Sequence, residues 1–253
     1  MTNAMSSALS GACAKPLPIP INGHRYAASI VIPVYNEEAI LEQLMSELHD
    51  TFAGMPCAIE FLICENGSND GTGAIAGNLS ANHQHVRSIS LGQPRYGAAI
   101  RMGIMQADAD IVVIFNADLW DAQFFERAVE LLADGVDLVV GSKRLPESLD
   151  ERPRIRRTIT AWFNGLLRFA FGYSGTDTHG IKAVRRSRIV PILERCVTQR
   201  EVFDTEFVLR AQRAGLVIRE LPIHVADRRA ARLSLLKRAP ATLFDLVRIW
   251  RTL

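Results

Sequence analysis

Residues 29–38 read SIVIPVYNEE, an apolar β-branched run that ends in a polar, acidic segment. Similar apolar runs recur at Ser29 to Val34, Ile59 to Cys64, Val86 to Leu91, Ile111 to Phe115 and Leu138 to Val140. The segments between these runs have helical period; the first carries Ile40, Leu41, Leu44, Met45 and Leu48 on one face. Apolar strands that alternate with helices predict an α/β fold with a mainly parallel, Rossmann-like sheet and helices on both faces. Because such sheets bind ligands at the carboxyl ends of their strands, the functional residues are expected directly after each strand.

The composition is that of a globular protein, since 48% of the 253 residues are hydrophobic and 22% are charged. No apolar run reaches the ~20 residues of a membrane-spanning helix, and residues 1–26 lack the pattern of a signal peptide. We therefore expect a cytoplasmic protein. The cysteines, Cys13, Cys57, Cys64 and Cys196, show no CxxC spacing, which predicts reduced thiols and neither a disulfide framework nor a zinc site.

The charges are segregated along the chain. Residues 1–140 hold 6 basic against 16 acidic residues, whereas residues 141–253 hold 23 basic against 11 acidic ones. Nearly all of the basic residues are arginine, whose guanidinium matches the geometry of phosphate oxygens. This distribution favours a polyanionic ligand at the junction of the halves, although a nucleic acid or an anionic membrane surface would explain the basic half equally well.

Three strand ends carry polar motifs: PVYNEE at residues 33–38, ENGSNDGT at 65–72 and NADLWD at 116–121. For the first motif, a plain helix start capped by Asn36 is the alternative interpretation. The glycines of residues 71–77 have the spacing GxGxxxG and no acidic residue follows until Asp108, which argues against a nicotinamide-dependent oxidoreductase. Asp108 and Asp110 precede a strand, so we expect them in a solvated turn at the amino edge of the sheet.

Two basic segments precede bulky apolar helices. Arg152, Arg154, Arg156 and Arg157 come before a helix with Trp162 and Phe163, and basic residues 228–238 come before a terminal helix with Trp250. An interfacial membrane helix and a packed core helix are both compatible with this pattern. We expect a mobile leader over residues 1–27, a catalytic domain over 28–238 and an amphipathic helix over 239–253, packed on the domain or at a membrane surface.

In this order and at these intervals, VIPVYNEE, ENGSNDGT, NADLW, GSKR, DTHGIKAVRR and FDTEF resemble the family 2 inverting glycosyltransferases of the GT-A fold. Within that family the sequence is most similar to dolichyl-phosphate mannose synthase and related polyprenyl-phosphate glycosyltransferases. The resemblance covers residues 28–238 and implies a hexosyltransferase. Its donor would be a GDP- or UDP-hexose, mannose or glucose, and its acceptor a polyprenyl or dolichyl phosphate.

The resemblance also implies roles for individual residues. The nucleotide-sugar pocket would be lined by Pro33, Tyr35, Glu37 and Glu65, and the metal and diphosphate motif would be Asn116, Ala117 and Asp118. The family pattern DADLQ has two further metal-binding side chains, which Asn116 and Trp120 replace here. Asp118 remains as the anionic ligand, so Mg²⁺ or Mn²⁺ is expected to bind weakly or to be dispensable.

Basic residues matched to the family are Lys143, Arg144 and Arg157, near the donor diphosphate and the acceptor phosphate, and Arg229 and Ser234 of a terminal loop. In that loop Arg232 and Leu235 depart from the family pattern. A phosphate acceptor is already an anionic nucleophile, whereas a sugar hydroxyl would need a carboxylate base, for which Asp204 and Glu206 are the candidates.

The alternatives are a glycosyltransferase with a soluble sugar acceptor, a nucleotide-sugar-binding homologue with weakened catalysis, and a nucleic-acid-binding module. The acidic strand ends argue against nucleic acid as a partner. The basic segments beside apolar helices predict peripheral attachment to the cytoplasmic face of a membrane, with a separate membrane subunit as a further partner.

Overall fold

A computed structural model describes residues 24–54, 59–200, 202–225 and 235–253 of the chain, without the side chains of residues 235–239. The strands are β1 (Ala28–Val34), β2 (Ile59–Glu65), β3 (Val86–Ser90), β4 (Ile111–Ile114), β5 (Leu138–Ser142), β6 (Leu149–Asp150), β7 (Lys182–Arg185), β8 (Ile218–Pro222) and β9 (His224–Val225). The helices are α1 (Leu41–Phe52), α2 (Thr72–Asn82), α3 (Tyr96–Gln106), α4 (Ala122–Ala133), α5 (Arg154–Phe171), α6 (Arg186–Arg195), α7 (Phe203–Arg213) and α8 (Leu235–Thr252).

A seven-stranded sheet in the order β3-β2-β1-β4-β7-β5-β8 forms the centre of the domain. Its strands pair in parallel except for β7, which runs antiparallel to both β4 and β5. Strands β6 and β9 form a separate two-stranded sheet. The predicted α/β fold with a mainly parallel sheet is confirmed.

The strands are buried because helices cover both faces of the sheet. Every residue of β1, β2, β4 and β5 is buried, as expected for continuous apolar runs. One apolar layer includes α1 and α4, and the other includes α3, α6 and α7. The predicted apolar face of α1 is confirmed, because Leu41, Leu44, Met45 and Leu48 are all buried.

The direction of the strands determines which residues share an edge. The carboxyl ends of β1, β2, β4 and β5 lie at one edge, where the chain leaves the sheet into the three polar motifs. Because β7 is antiparallel, its start rather than its end lies at this edge, with Lys182 opposite Ile114. Asp108 and Asp110 lie at the opposite edge as predicted. There they accept backbone hydrogen bonds from Arg25 and Ser187 at 3.0 and 2.7 Å.

The predicted boundaries need two adjustments. Tyr26 and Ala27 are buried, so the packed domain starts before residue 28. Residues 1–23 lie outside the described residues. The predicted terminal helix of residues 239–253 is α8, which begins at Leu235 and packs on the domain through Leu246 and Ile249.

Helices α5 and α8 are each buried on one side only. In α5 the buried residues are Asn164, Leu167 and Phe171, all in its second half. The helix ends at Gly172, whose φ of 64° is the left-handed conformation that glycine adopts without strain.

Among the described residues, no helix is long and apolar enough to cross a membrane. Of the cysteines, Cys64 and Cys196 are free and buried, and burial raises the pKa of each thiol to about 12, as expected for unreactive thiols. Cys13 and Cys57 lie outside the described residues.

Candidate active site

A cavity of about 850 Å³ opens at the carboxyl edge of β1, β2 and β4. It is lined by Pro33, Val34, Tyr35, Asn36, Glu37, Asn66, Pro94, Tyr96, Asn116, Ala117, Asp118, Arg200, Val202, Ala241, Thr242 and Asp245. Six of the predicted site residues are therefore together in one cavity: Pro33, Tyr35, Glu37, Asn116, Ala117 and Asp118. Its volume is within the range of sites for small ligands and cofactors.

Hydrogen bonds between the first two polar motifs shape one wall of this cavity. Asn36 has a φ of 55°, accepts from the Asn69 N–H through Oδ1 at 3.0 Å and donates its own N–H to the Ser68 hydroxyl at 3.0 Å. The Glu37 N–H donates to Thr72 Oγ1 at 2.8 Å. The alternative interpretation of Asn36 as a helix cap is wrong, because α1 begins at Leu41 with no side-chain cap.

Glu65 holds the second motif in place through hydrogen bonds and does not line the cavity. Its carboxylate accepts from the Ser68 N–H and, at 2.6 Å, from the Ser90 hydroxyl. Burial opposes ionisation, but these hydrogen bonds hold the pKa of Glu65 below its usual value. Gly67 completes the turn with a φ of 70°, and a Cβ there would lie 2.6 Å from the Gln93 backbone nitrogen. The neighbouring Asn66 reaches the cavity instead.

The third motif follows β4 as a tight turn. Asn116 and Leu119 form an isolated β-bridge, and Asp121 caps α4 by accepting from the Phe124 N–H at 2.9 Å. Trp120 packs against the apolar layer that includes α1 and α4. Asn116, Ala117 and Asp118 are thereby held at the cavity wall, where Tyr96 donates its hydroxyl hydrogen to Asn116 Oδ1 at 3.0 Å.

These residues fit a tightly bound divalent cation poorly. Asp118 is the single carboxylate of residues 116–120, and Asp121 caps α4 instead. The Asn116 oxygen already accepts from Tyr96, and an indole supplies no hard oxygen ligand. Within the described ranges, no three His, Cys, Asp or Glu side chains are placed so that they could hold a metal ion.

Lys143 is bound to other residues of the same edge. Its Nζ lies 2.8 Å from Asp177 Oδ2 and also donates to the His179 carbonyl. Burial lowers the pKa of Lys143, while the Asp177 charge opposes that shift. Lys143 is absent from the cavity wall among the residues described, as are Arg144 and Arg157, which are exposed.

The two predicted acceptor-side carboxylates are both inside the domain. Asp204 Oδ1 lies 3.0 Å from Lys182 Nζ. Glu206 accepts from Arg210 Nε at 2.7 Å and from the N–H groups of Val197 and Thr198. Residues 203–211 are buried without interruption, so α7 is a core helix and neither carboxylate lines the cavity.

Sequence reasoning missed several cavity residues, among them Tyr96, Arg200 and Asp245. Tyr96 begins α3, Arg200 precedes α7 and Asp245 is on α8, so none of them directly follows a strand of the sheet. The sequence signal that existed was positional: Tyr96 follows a Gln-Pro-Arg turn after β3. Arg229 and Ser234 lie outside the described residues.

The mainly parallel sheet with helices on both faces defines the class of fold as GT-A. The structure of glucosyl-3-phosphoglycerate synthase from Mycobacterium tuberculosis, solved with Mn²⁺, UDP and glucosyl-3-phosphoglycerate, matches with a TM-score of 0.65. That match covers 88% of this chain and 79% of the synthase. At 20% sequence identity it shows a shared fold and nothing about the substrate. The chain belongs to glycosyl transferase family 2, because that family's model matches residues 29–191.

Relatives in the family are similar over most of this chain. Glycosyltransferase AglD of Haloferax volcanii is 32% identical over 205 residues, 77% of this chain and 32% of AglD. Undecaprenyl-phosphate 4-deoxy-4-formamido-L-arabinose transferase of Proteus mirabilis is 31% identical over 66% of this chain and 51% of the transferase. Dolichyl-phosphate beta-glucosyltransferase ALG5A of Trichomonas vaginalis is 24% identical over 82% of this chain and 68% of the enzyme. The chain thus spans about a third of AglD and half of the Proteus enzyme.

Proposed function

We propose that this protein transfers a hexose, mannose or glucose, from a GDP- or UDP-sugar to a polyprenyl phosphate with inversion at the anomeric carbon. The observation that carries this proposal is the cavity at the carboxyl edge of β1, β2 and β4, where Asp118 follows the central strand. The family supports the donor class, since the chain belongs to glycosyl transferase family 2.

Two relatives support a polyprenyl-phosphate acceptor, namely an undecaprenyl-phosphate transferase and a dolichyl-phosphate transferase. The chemistry is simple for such an acceptor. A phosphate oxygen attacks the anomeric carbon from the face opposite the leaving group, the C–O bond to the diphosphate breaks, and the nucleoside diphosphate departs. The nucleophile already carries negative charge, so this step requires no general base.

The surface of α5 also supports a lipid-linked acceptor. Ile155, Trp162 and Phe169 are spaced by seven residues, so they share one helix face, and their exposed fractions are 68, 78 and 93%. Arg154, Arg157 and Arg168 are exposed on the same helix. A helix with exposed aromatic side chains and arginines suits the surface of an anionic membrane.

The buried side of α5 holds a polar group that lacks a partner. Asn164 is 3% exposed, and neither atom of its amide has a hydrogen-bond partner among the described residues. The adjacent Phe163 contacts the His179 ring at the functional edge of the sheet. A buried amide without a partner costs about 1–3 kcal/mol, which a bound oxygen-rich group would recover. We therefore infer that this side of α5 faces the acceptor.

α8 has a second exposed apolar face, formed by Leu243, Phe244, Val247 and Trp250. Its other side carries Ala241, Thr242 and Asp245 on the cavity wall. We therefore propose peripheral attachment to the cytoplasmic face of a membrane, with a separate membrane subunit as a further partner and no role for nucleic acid.

The roles of Lys143, Arg144, Arg157, Arg229 and Ser234 in phosphate binding stay predictions. Mg²⁺ or Mn²⁺, if recruited, would meet Asp118 as its anionic ligand and would supply positive charge to the departing diphosphate. The NADLW motif supports a divalent cation that binds weakly or is dispensable.

A screen of GDP- and UDP-hexoses against a polyprenyl phosphate and against soluble sugars tests the function, with release of nucleoside diphosphate as the readout. We expect release with the polyprenyl phosphate and an inverted anomeric configuration in the product. Release with a soluble sugar alone would favour the second candidate, which the soluble-acceptor synthase of similar fold motivates. Nucleotide binding without turnover on any acceptor would favour a homologue with weakened catalysis.

A further inference from the structure

The Asn116 amide has a fixed partner. Tyr96 Oη donates to Asn116 Oδ1 at 3.0 Å, and both residues line the cavity. This hydrogen bond occupies one of the two lone pairs of a neutral oxygen, which makes the Asn116 amide a weaker metal ligand than a carboxylate would be. The other end of the amide, the Nδ2 group, is a double hydrogen-bond donor.

Tyr96 is held so that it stays a donor. Burial, followed by the charges of Asp204 and Asp118, raises the pKa of Tyr96 well above its usual value. Asp204 is itself fixed by Lys182 at 3.0 Å, on the strand next to β4. The phenol therefore keeps its proton throughout the physiological range, and this single hydrogen has two acceptors, Asn116 Oδ1 and the Asp204 carboxylate.

Arg200 brings a cation to the same cavity. It lies in the segment before α7, it is exposed, and it forms no ion pair with any residue in the described part of the chain. By contrast, Lys143 and Lys182 are each paired with a buried aspartate. A guanidinium binds phosphate oxygens through parallel N–H donors, without the dehydration that a divalent cation requires.

We propose that the Asn116 amide and the Arg200 guanidinium hold the donor diphosphate, so that binding of the nucleotide does not depend on a divalent cation. This inference rests on the proposed function, because its ligand is a nucleoside diphosphate. It assigns to side-chain donors the charge neutralisation that a metal ion provides in other glycosyltransferases.

Isothermal titration of the full chain with UDP and with GDP, in Mn²⁺ and in EDTA, tests the proposal. We expect at least one nucleotide to bind with dissociation constants that agree within about threefold in the two buffers. Binding that weakens tenfold or more in EDTA would overturn the inference and leave the proposed function intact. If neither nucleotide binds in either buffer, the proposed function itself fails.

Two variants localise the effect. Arg200→Gln is expected to weaken nucleotide binding at least tenfold in EDTA, whereas the control Arg195→Gln, at an exposed site on α6, leaves it unchanged. Asn116→Asp places a carboxylate beside Asp118, so Mn²⁺ binding, followed by the loss of the free-ion EPR signal, should become at least tenfold tighter. Wild-type affinity in Arg200→Gln, or equal Mn²⁺ binding by the wild type and Asn116→Asp, would contradict the proposal.

Tyr96→Phe separates the role of the phenol from that of the amide. Without the phenol hydrogen, both lone pairs of Asn116 Oδ1 are available, and we expect Mn²⁺ to bind more tightly than in the wild type. Unchanged Mn²⁺ binding in a variant that unfolds at the wild-type temperature would contradict the part assigned to Tyr96.

Discussion

The two halves of the chain use their charged side chains differently. In the acidic half, carboxylates of the strand-end loops accept hydrogen bonds from backbone N–H groups, as Glu65 does from Ser68 and Glu38 does from Gly71. In the basic half, Lys143, Lys182 and Arg210 each form an ion pair with a buried carboxylate. A charge count along the sequence therefore overstates how many cations of the second half are available to a ligand.

This difference separates positions that look alike in sequence. Asp118 and Glu206 are both acidic residues in short polar motifs, yet Asp118 lines the cavity and Glu206 lies in the core. Removing one partner of a buried pair leaves the other charge without compensation, whereas a cavity carboxylate is replaceable without loss of the fold.

The largest effect is expected at the cavity. Asp118→Ala should lower turnover by about 10³-fold, a size typical for the loss of one group that stabilises charge in a transition state. Its thermal unfolding temperature should match that of the wild type. Asp108→Ala, at the opposite edge of the sheet, is the control and should keep full turnover. Normal turnover in Asp118→Ala would remove NADLW from the active site.

In the core, Glu206→Gln should destabilise the fold by roughly 3 kcal/mol, because the Arg210 charge stays buried without its counter-ion. Urea unfolding measures this loss, and the exposed Glu194→Gln on α6 is the control. The folded fraction should bind nucleotide like the wild type. A stable Glu206→Gln protein that loses only transfer to sugar hydroxyls would instead support Glu206 as a base.

The basic half should attach the protein to anionic vesicles. Arg154, Arg156 and Arg157 should each contribute about 1 kcal/mol to the free energy of binding to the anionic surface. Replacing all three with Gln should therefore release the protein from vesicles at moderate salt. Flotation with anionic liposomes at low and high salt measures the change. Trp162→Ala with Phe169→Ala should weaken binding at both salt concentrations, and Met105→Ala on α3 is the control. A wild-type protein that stays off the vesicles at low salt would contradict the membrane proposal.

The smallest effect concerns pH and Glu65. Because its folded pKa is lowered, Glu65 stabilises the fold above its unfolded pKa of about 4.5, and that contribution is lost as pH falls through the folded value. Glu65→Gln should cost on the order of 1 kcal/mol at neutral pH and flatten the acid limb of the stability curve. Unfolding temperatures between pH 3 and 7 test this. An unchanged acid limb would show that other carboxylates control it.

Several features were accessible from the sequence. Continuous apolar strands require helices on both faces of the sheet. The alternation of apolar runs and helical segments over residues 29–140 therefore predicted a mainly parallel sheet and the edge where ligands bind. The motifs PVYNEE and NADLW lie at that edge because parallel strands end together. The resemblance of the motifs in their order identified the family, which the family model confirms.

Other features depended on contacts between distant segments. The sequence could not show that β7 runs antiparallel, so the residues before it, rather than after it, lie at the functional edge. Nor could it show that Asp204 meets Lys182, 22 positions away, although the i,i+4 spacing of Glu206 and Arg210 was a visible signal. Tyr96 on α3, Arg200 in the segment before α7 and Asp245 on α8 share a cavity only in the folded chain.

The sequence by itself thus determined the fold class, the family and the strand-end motifs, because local period and spacing encode them. The tertiary structure decided which charges remain available to a ligand. Whether a carboxylate contacts a lysine, a phenol or an open cavity depends on the packing of elements that are far apart in the chain. Local sequence patterns do not encode that packing.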